Sequence, residues 1–206
     1  MNPSAPAPNA PIIDGLVLSA GRSRRMGRPK ALLPIDDETF IERAVRVLIE
    51  GGCRAVFAVV SANGEEVTRL AERAGAKIVV NPDPESDQAT SIRLGLEALG
   101  DDTEAVAVLP VDHPLVAPET VLQLLSTYRA GRPPIVRPVY CGVPGHPGIF
   151  SRRLFPELME ADLPEGAHSV VEAHRAEVVD VEVRDIGVTA DVDSPDDYRR
   201  LVQGTC

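Results

Sequence analysis

No apolar run in this 206-residue chain approaches the length of a membrane-spanning helix, so no association with a membrane is expected. Cysteine is scarce: Cys53, Cys141 and Cys206 are odd in number and far apart. Without a paired spacing they frame neither a disulfide scaffold nor a zinc site, which fits a reducing cytoplasm. Positive charge is also short, with 21 Lys and Arg against 31 Asp and Glu and a formal net charge of −10. That balance argues against a general nucleic-acid binder, whose main attraction is a broad basic face. Residues 1–11 are rich in Pro, Ala and Asn and lack both the basic start and the apolar core of a secretory signal. They read as a disordered lead-in. With no internal repeat, heptad array or long low-complexity linker, residues 12–206 read as one domain.

Against this acidic background one stretch stands apart. The apolar run Ile12–Leu18 leads directly into LSAGRSRRMGRPK, residues 18–30, which holds Gly21, Gly27, Arg22, Arg24, Arg25, Arg28 and Lys30. A buried strand that breaks into such a loop suits a small, strongly anionic ligand. Glycine lets backbone N–H groups approach closely, and the cations neutralise phosphate oxygens. Two familiar phosphate loops do not fit. Gly27 is followed by Arg28 and Pro29 rather than Lys and Ser/Thr, and Gly21 has no second glycine two residues on, so neither the P-loop nor the dinucleotide fingerprint is present.

The rest of the chain alternates short apolar runs with amphipathic segments. Strands are expected at 12–18, 54–60, 77–80 and 105–109, and helices at 39–50, 64–74, 89–99 and 118–128. That rhythm predicts an α/β fold of three layers, α/β/α, with a mostly parallel sheet and right-handed crossovers. Beyond Gly131 the pieces shorten: extended at 135–140, 148–150 and 178–183, helical at 151–159 and 166–173. These are expected to add an antiparallel portion covering the mouth of the site. Ligands of such sheets bind at the carboxyl ends of the strands, so Asp112, following the strand at 105–109 and set between Pro110 and Pro114, is expected to open on the same edge as the basic loop. A carboxylate fixed there is a suitable hard ligand for magnesium. Asp191 and Asp193 would face the same way in a regular strand, and one of the two would complete that site, while Ser194 caps a helix starting at Pro195. Of four histidines, His113 and His146 are the two expected near substrate. His168 and His174, six apart, do not form a zinc pair.

At these residues the chain resembles the molybdenum-cofactor-type nucleotidyltransferases, whose signature is written L-x-x-G-x-S-x-R-M-G-x-x-K. Leu18, Gly21, Ser23, Arg25, Met26, Gly27 and Lys30 match it. The likeness continues through Asn81, the Ser91-Ile92-Arg93 and Gly95-Leu96 pairings, Pro110-Val111-Asp112-His113-Pro114, Gly145-His146-Pro147 and the run 191–198, DVDSPDDY. It implies a Rossmann-like sheet of the GT-A type and transfer of a nucleoside monophosphate from a nucleoside triphosphate to a small phosphorylated acceptor, with release of pyrophosphate. It also implies Mg2+, with Mn2+ as the alternative, and a monomer or weak homodimer. The nucleotide would be held by Leu18, Ser19, Ala20, Gly21, Arg22, Ser23, Arg25, Met26, Gly27, Lys30, Asn81 and Ser91. Catalysis would fall to Lys30, Arg25 and Asp112, the metal to Asp112, Asp191 and Asp193, and the acceptor to His113 and His146.

In-line displacement at phosphorus asks for positioning and charge neutralisation rather than a protein nucleophile, so Lys30 would bridge the α-phosphate and the incoming acceptor phosphate. The Leu-Ser-Ala-Gly opening is nearer the cytidylyl than the guanylyl members, which points to CTP. Two departures leave the acceptor open. Asp87 stands where the family usually has Gly, and residues 163–168, LPEGAH, differ from the cytidylyl Gly-Asp-x-Gly-Ala-Arg. A nucleotide-sugar glycosyltransferase and a non-catalytic nucleotide-binding module remain as alternatives.

Overall fold

The computed structural model of the protein describes residues 10–21, 26–83, 85–160 and 166–203. Its elements run β1 (Ile13–Leu18), β2 (Pro34–Ile35), β3 (Glu38–Thr39), α1 (Phe40–Glu50), β4 (Val56–Ser61), α2 (Glu65–Arg73), β5 (Lys77–Asn81), α3 (Gln88–Glu97), β6 (Ala105–Pro110) and α4 (Pro118–Gly131). Then follow β7 (Ile135–Tyr140), β8 (Val143–Pro144), β9 (Gly148–Ser151), α5 (Phe155–Leu158), α6 (Ala167–Ala173), β10 (Val178–Glu182) and α7 (Pro195–Val202). The main sheet has the order β10-β7-β9-β6-β1-β4-β5, with β8 paired to β7. Strands β5, β4, β1 and β6 are mutually parallel, and β9 pairs antiparallel with both β6 and β7. The parallel sheet and its antiparallel extension are therefore both as the sequence predicts.

Alternation along the central strands builds two cores. Ile13 and Val17 of β1, Ala58 and Val60 of β4, and Ala107 and Leu109 of β6 face α1, α2 and α4. Leu16 and Leu18, Phe57 and Val59, and Val106 and Val108 face α3, α5 and α6. Successive side chains of a strand point to opposite faces, so these near-continuous apolar runs require a helical layer on each side. In α1, Phe40, Ile41, Val45 and Leu48 are all fully buried, each such side chain stabilising the fold by about 1.5–3 kcal/mol relative to exposure. A capping box between Thr39 and Glu42 starts that helix.

Several boundaries differ from the sequence-based expectation for local reasons. The strand expected from Arg54 begins at Val56, although the Arg54 N–H already donates to the Ile13 carbonyl at 2.9 Å and its side chain pairs with Asp14 of β1. The helix expected over 151–159 is split. Ser151 closes β9, Arg152–Leu154 is a 3-10 turn, and α5 starts only at Phe155, with Pro156 in its first turn where a missing N–H costs nothing. The stretch holding Asp191 and Asp193 is no strand. Val192 is buried and its N–H donates to the Asp112 carbonyl at 2.9 Å, after which Ser194 and Asp197 form the capping box of α7. Among the described residues no helix is long and apolar enough to cross a membrane.

Candidate active site

The chain passes from β1 outward through β4 to β5 and then returns to place β6 on the other side of β1. Where strand order reverses in this way, the loops at the carboxyl ends diverge and leave a crevice. Leu18 and Pro110, the last residues of β1 and β6, are in register, and the Val111 N–H donates to the Leu18 carbonyl at 3.1 Å. The loop after β1 and the Pro110–Pro114 turn therefore leave the sheet side by side. A cavity of about 190 Å³ opens between them, lined by Leu18–Gly21, Lys30, Ser91, Val111 and Asp112.

Lys30 sits at the start of a 3-10 turn, Lys30–Leu32, reached through Gly27 at φ 68, a left-handed conformation that glycine adopts without strain. Its ammonium donates to Asp112 Oδ2 at 3.0 Å and to Asp193 Oδ1 at 2.5 Å. Burial works against the charge, but the hydrogen bonds and charges of Asp193 and Asp112 outweigh it and hold the Lys30 pKa above its ordinary value. Gly21 is exposed, and a Cβ added there would meet no atom of the described residues within 4 Å, its chain neighbours aside. Ser19 turns its hydroxyl to the Val59 carbonyl at 3.1 Å, while Met26 packs against the core. Arg22, Ser23 and Arg25, also named from the sequence, lie outside the described residues.

Asn81 and Ser91 come together, though chiefly with each other. Asn81 is buried and donates to Ser86 Oγ and Ser91 Oγ at 2.8 and 3.1 Å, while its carbonyl oxygen accepts from the Asp83 N–H. Asn81 thus shapes the 82–87 loop along the cavity wall. Asp87, the departure from the family pattern, is the N-cap of α3 and accepts from both the N–H and the hydroxyl of Thr90 at 2.9 Å. One carboxylate oxygen thus caps the helix, while the residue also lines the cavity. The divergent 163–168 segment is described only from Gly166 onward; Glu165 lies outside the described residues.

The carboxylates divide. Asp112 and Asp193 converge on Lys30, whereas Asp191 lines a separate hollow with Leu115, Arg200 and Leu201. The sequence-based expectation that Asp191 and Asp193 face the same way does not hold, because the segment is a loop pinned at Val192. Among the described residues no group of three or more His, Cys, Asp or Glu side chains forms a metal-ligand cluster. Two hard oxygen donors already gathered around one cation do fit a divalent ion better than a bare turn would.

Asp185 brings the late segment here. It accepts from the Ala117 N–H at 2.9 Å and the Thr120 hydroxyl at 2.7 Å, capping α4 from outside that helix, and from Gly187 N at 2.9 Å. Gly145 and Gly187 mark where the chains touch, since an added Cβ would lie 2.1 Å from the Val188 carbonyl oxygen and 2.2 Å from the Leu115 carbonyl carbon, respectively. His113 and His146 are brought together, with ring centroids 4.7 Å apart. The Nδ1 atom of each is buried with no hydrogen-bond partner among the described residues. Burial pushes the His146 pKa down to about 4, helped by His113, and burial also lowers that of His113 against the pull of Asp112 and Asp191. Both rings are therefore neutral near pH 7.

A second hollow of about 250 Å³ adjoins the first, sharing Leu18, Gln88 and Pro110. Its floor is Ile92, Val108, Ile135 and Phe150, and its polar rim includes Arg137, His146 and His168. Sequence reasoning missed Gln88, Arg137 and His168. For Arg137 a signal exists, a charge inside the apolar strand IVRPVY; it pairs with Asp180 of β10 at 2.6 Å. His174 is elsewhere, between Glu157 and Glu177 at 2.8 and 3.0 Å, and their hydrogen bonds raise its pKa.

A parallel α/β sheet with a glycine-bearing loop, a lysine and two carboxylates gathered at its switch point is the architecture of enzymes that handle nucleoside triphosphates. The chain belongs to the family of the MobA-like NTP transferase domain, whose model matches residues 15–178, and it is thereby an NTP-dependent nucleotidyltransferase by class. It is 31% identical to the nicotine blue oxidoreductase of Paenarthrobacter nicotinovorans, over 93% of this chain and 97% of that one. It is 27% identical to the molybdenum cofactor cytidylyltransferase of Escherichia coli, over 90% and 93%. Among solved structures, the Rv0371c protein of Mycobacterium tuberculosis superposes with a TM-score of 0.84 at 33% identity, covering 95% of this chain and 99% of that one. A structure of that protein in complex with manganese superposes at 0.79 and 30% identity, covering 95% and 100%.

Proposed function

We propose that the enzyme transfers a cytidylyl group from CTP to a phosphorylated acceptor with a compact, largely apolar body, releasing pyrophosphate. The observation that carries this is Lys30, held between Asp112 and Asp193 where the loop after β1 meets the turn after β6. In this reading the backbone from Leu18 to Gly27, with Arg22 and Arg25, receives the β- and γ-phosphates, and Asn81 and Ser91 shape the wall for the base. An oxygen of the acceptor phosphate attacks the α-phosphorus, the bond to the bridging oxygen breaks, and that oxygen leaves with pyrophosphate. Lys30 neutralises the two phosphates as they meet, a positioning and electrostatic role typical of phosphoryl chemistry. Asp112 and Asp193 would hold Mg2+ or Mn2+, which supplies charge neutralisation on the phosphate oxygens. The manganese complex of the mycobacterial relative supports that choice. The acceptor lies in the second hollow, beside His146, and the cytidylyltransferase relative and the Leu-Ser-Ala-Gly opening both favour CTP.

The test is pyrophosphate release from CTP, GTP, ATP and UTP with a panel of phosphorylated acceptors, with and without Mg2+. CTP is expected to be preferred, and Asp112→Asn is expected to abolish the metal-dependent turnover. A second reading has its own support, the near full-length likeness to an enzyme named as an oxidoreductase. In it Leu18–Gly21 and the hollow floored by Ile92, Val108, Ile135 and Phe150 would hold a reduced dinucleotide, which would supply hydride, against a flat aromatic acceptor. Oxidation of the reduced nucleotide by an aromatic acceptor, with no pyrophosphate formed from any triphosphate, would replace the first reading by the second.

A further inference from the structure

The C-terminal helix touches the turn that carries Lys30 at more places than a surface helix needs. α7 buries none of its residues fully, yet Tyr198 meets three separate parts of the site's framework. Its hydroxyl donates to the Pro34 carbonyl at 2.8 Å. Its ring lies under the Arg28 guanidinium, 5.9 Å from the centroid, within the range where a cation is attracted to an aromatic face. Its edge packs on Phe40, centroids 6.1 Å apart and planes inclined by 62°, and Phe40 is wholly buried at the start of α1. Arg28 and Pro34 stand on either side of the Lys30–Leu32 turn. One side chain therefore grips the turn where the chain enters and where it leaves, and anchors both grips to the core.

The orientation of Tyr198 is itself fixed. The Ser194 hydroxyl accepts from the Asp197 N–H, and the Asp197 carboxylate accepts from the Ser194 N–H at 2.8 Å, which sets the first turn of α7. The residue just before that box, Asp193, holds the Lys30 ammonium directly. The lead-in and first turn of α7 thus hold residues 28, 30 and 34 from one side.

We infer that Tyr198 is a positioning residue for the phosphate-binding loop, fixing the backbone on both sides of Lys30 so that loop and ammonium present one preformed face to the triphosphate. This rests on the nucleotidyltransferase reading above. Its contribution is preorganisation: a loop already held in its binding conformation loses less entropy when the ligand arrives. The consequence falls on phosphate affinity, whichever base is bound.

Calorimetric titration of the full chain with inorganic tripolyphosphate and with CTP, each with Mg2+, tests it in three variants. Tyr198→Leu removes the hydroxyl and the aromatic face, and is expected to weaken both ligands about ten-fold. Tyr198→Phe keeps the ring and loses one hydrogen bond, and is expected to weaken them about two- to three-fold. Leu201→Ala removes an apolar contact of the same helix with the core, and is expected to lower the Tm with affinity unchanged. Tyr198→Leu binding like the wild type, or Leu201→Ala weakening binding as much as Tyr198→Leu, would overturn the assignment and leave the nucleotidyltransferase reading standing. Failure of the wild type to bind either ligand would overturn both together.

Discussion

The two ends of the central strands carry similar chemistry arranged to opposite effect. At the amino edge, Asp14 of β1 is fully buried and every partner faces it: Arg54 Nε at 2.9 Å, Arg54 Nη2 at 2.6 Å and the Thr103 hydroxyl at 2.6 Å. The outer side of the guanidinium is met by Asp102. At the carboxyl edge, Lys30 meets Asp112 and Asp193, whose side chains are 26% and 50% exposed, and the buried Nδ1 atoms of His113 and His146 have no described partner. A satisfied buried pair ties structure together, and removing one member is expensive. A half-exposed cluster of this kind stabilises little. Charge alone, read from the sequence, does not distinguish the two. Burial and hydrogen-bond completeness do.

Four substitutions or conditions would break or sharpen this contrast. Lys30→Ala has the largest expected effect, a loss of about 10³ in kcat of the kind seen when one preorganised charge-stabilising group is removed. Its change in stability stays within about 1 kcal/mol, because the pair it breaks is partly exposed. Equal losses in kcat and in nucleotide affinity would mean that Lys30 acts in ground-state binding. Arg54→Ala is expected to show the reverse pattern. It strands the buried Asp14 carboxylate and should cost about 3–5 kcal/mol in urea unfolding, while kcat of the folded fraction stays unchanged.

Acid comes next. His146 titrates near pH 4 when folded and near pH 6.5 when unfolded, so the unfolded chain takes up the proton first. Stability contributed at the carboxyl edge is complete above about pH 6.5 and falls as the pH drops towards 4, by up to about 3 kcal/mol for this ring. His146→Gln should flatten that part of the profile, and an unchanged profile would assign the acid sensitivity to other groups. The smallest effect is Ser194→Ala, which removes the α7 cap and should cost about 1 kcal/mol in thermal unfolding.

Most of the sheet was legible in the sequence because its strands are covered on both faces and so appear as unbroken apolar runs, as in 56–60 and 105–109. The crevice followed from the order of strands and helices, the nearness of Asp112 to it from its place after a strand, and the choice of Lys30 from the basic loop and the signature it matches. What did not show was interaction across long separations. Asp185 caps α4 from 65 positions away, and Arg54 reaches Asp14 across 40. Neither spacing carries a local signal. Asp191 and Asp193 misled for a related reason: alternation implies a shared face only in a strand, and a single backbone bond from Val192 to Asp112 replaced the ladder. Asp87 lines the cavity as its place in the chain suggested, and what the sequence did not show is that Thr90, three residues on, makes it a helix cap as well.

The hydrogen bond from Lys30 to Asp193 spans 163 positions, which makes this edge of the sheet a late event in the life of the chain. β1, its first strand, has no neighbour until β4 is made and is not enclosed until β6 follows. Closing so wide a loop costs entropy that nearer contacts do not bear. During refolding the two cores can consolidate while Lys30 still lacks its second carboxylate. In the native protein the same asymmetry should appear as early hydrogen exchange in α7 and slow exchange in β1 and β6. Competence for the reaction is then acquired after the sheet has formed, and on heating it should fade before the sheet melts.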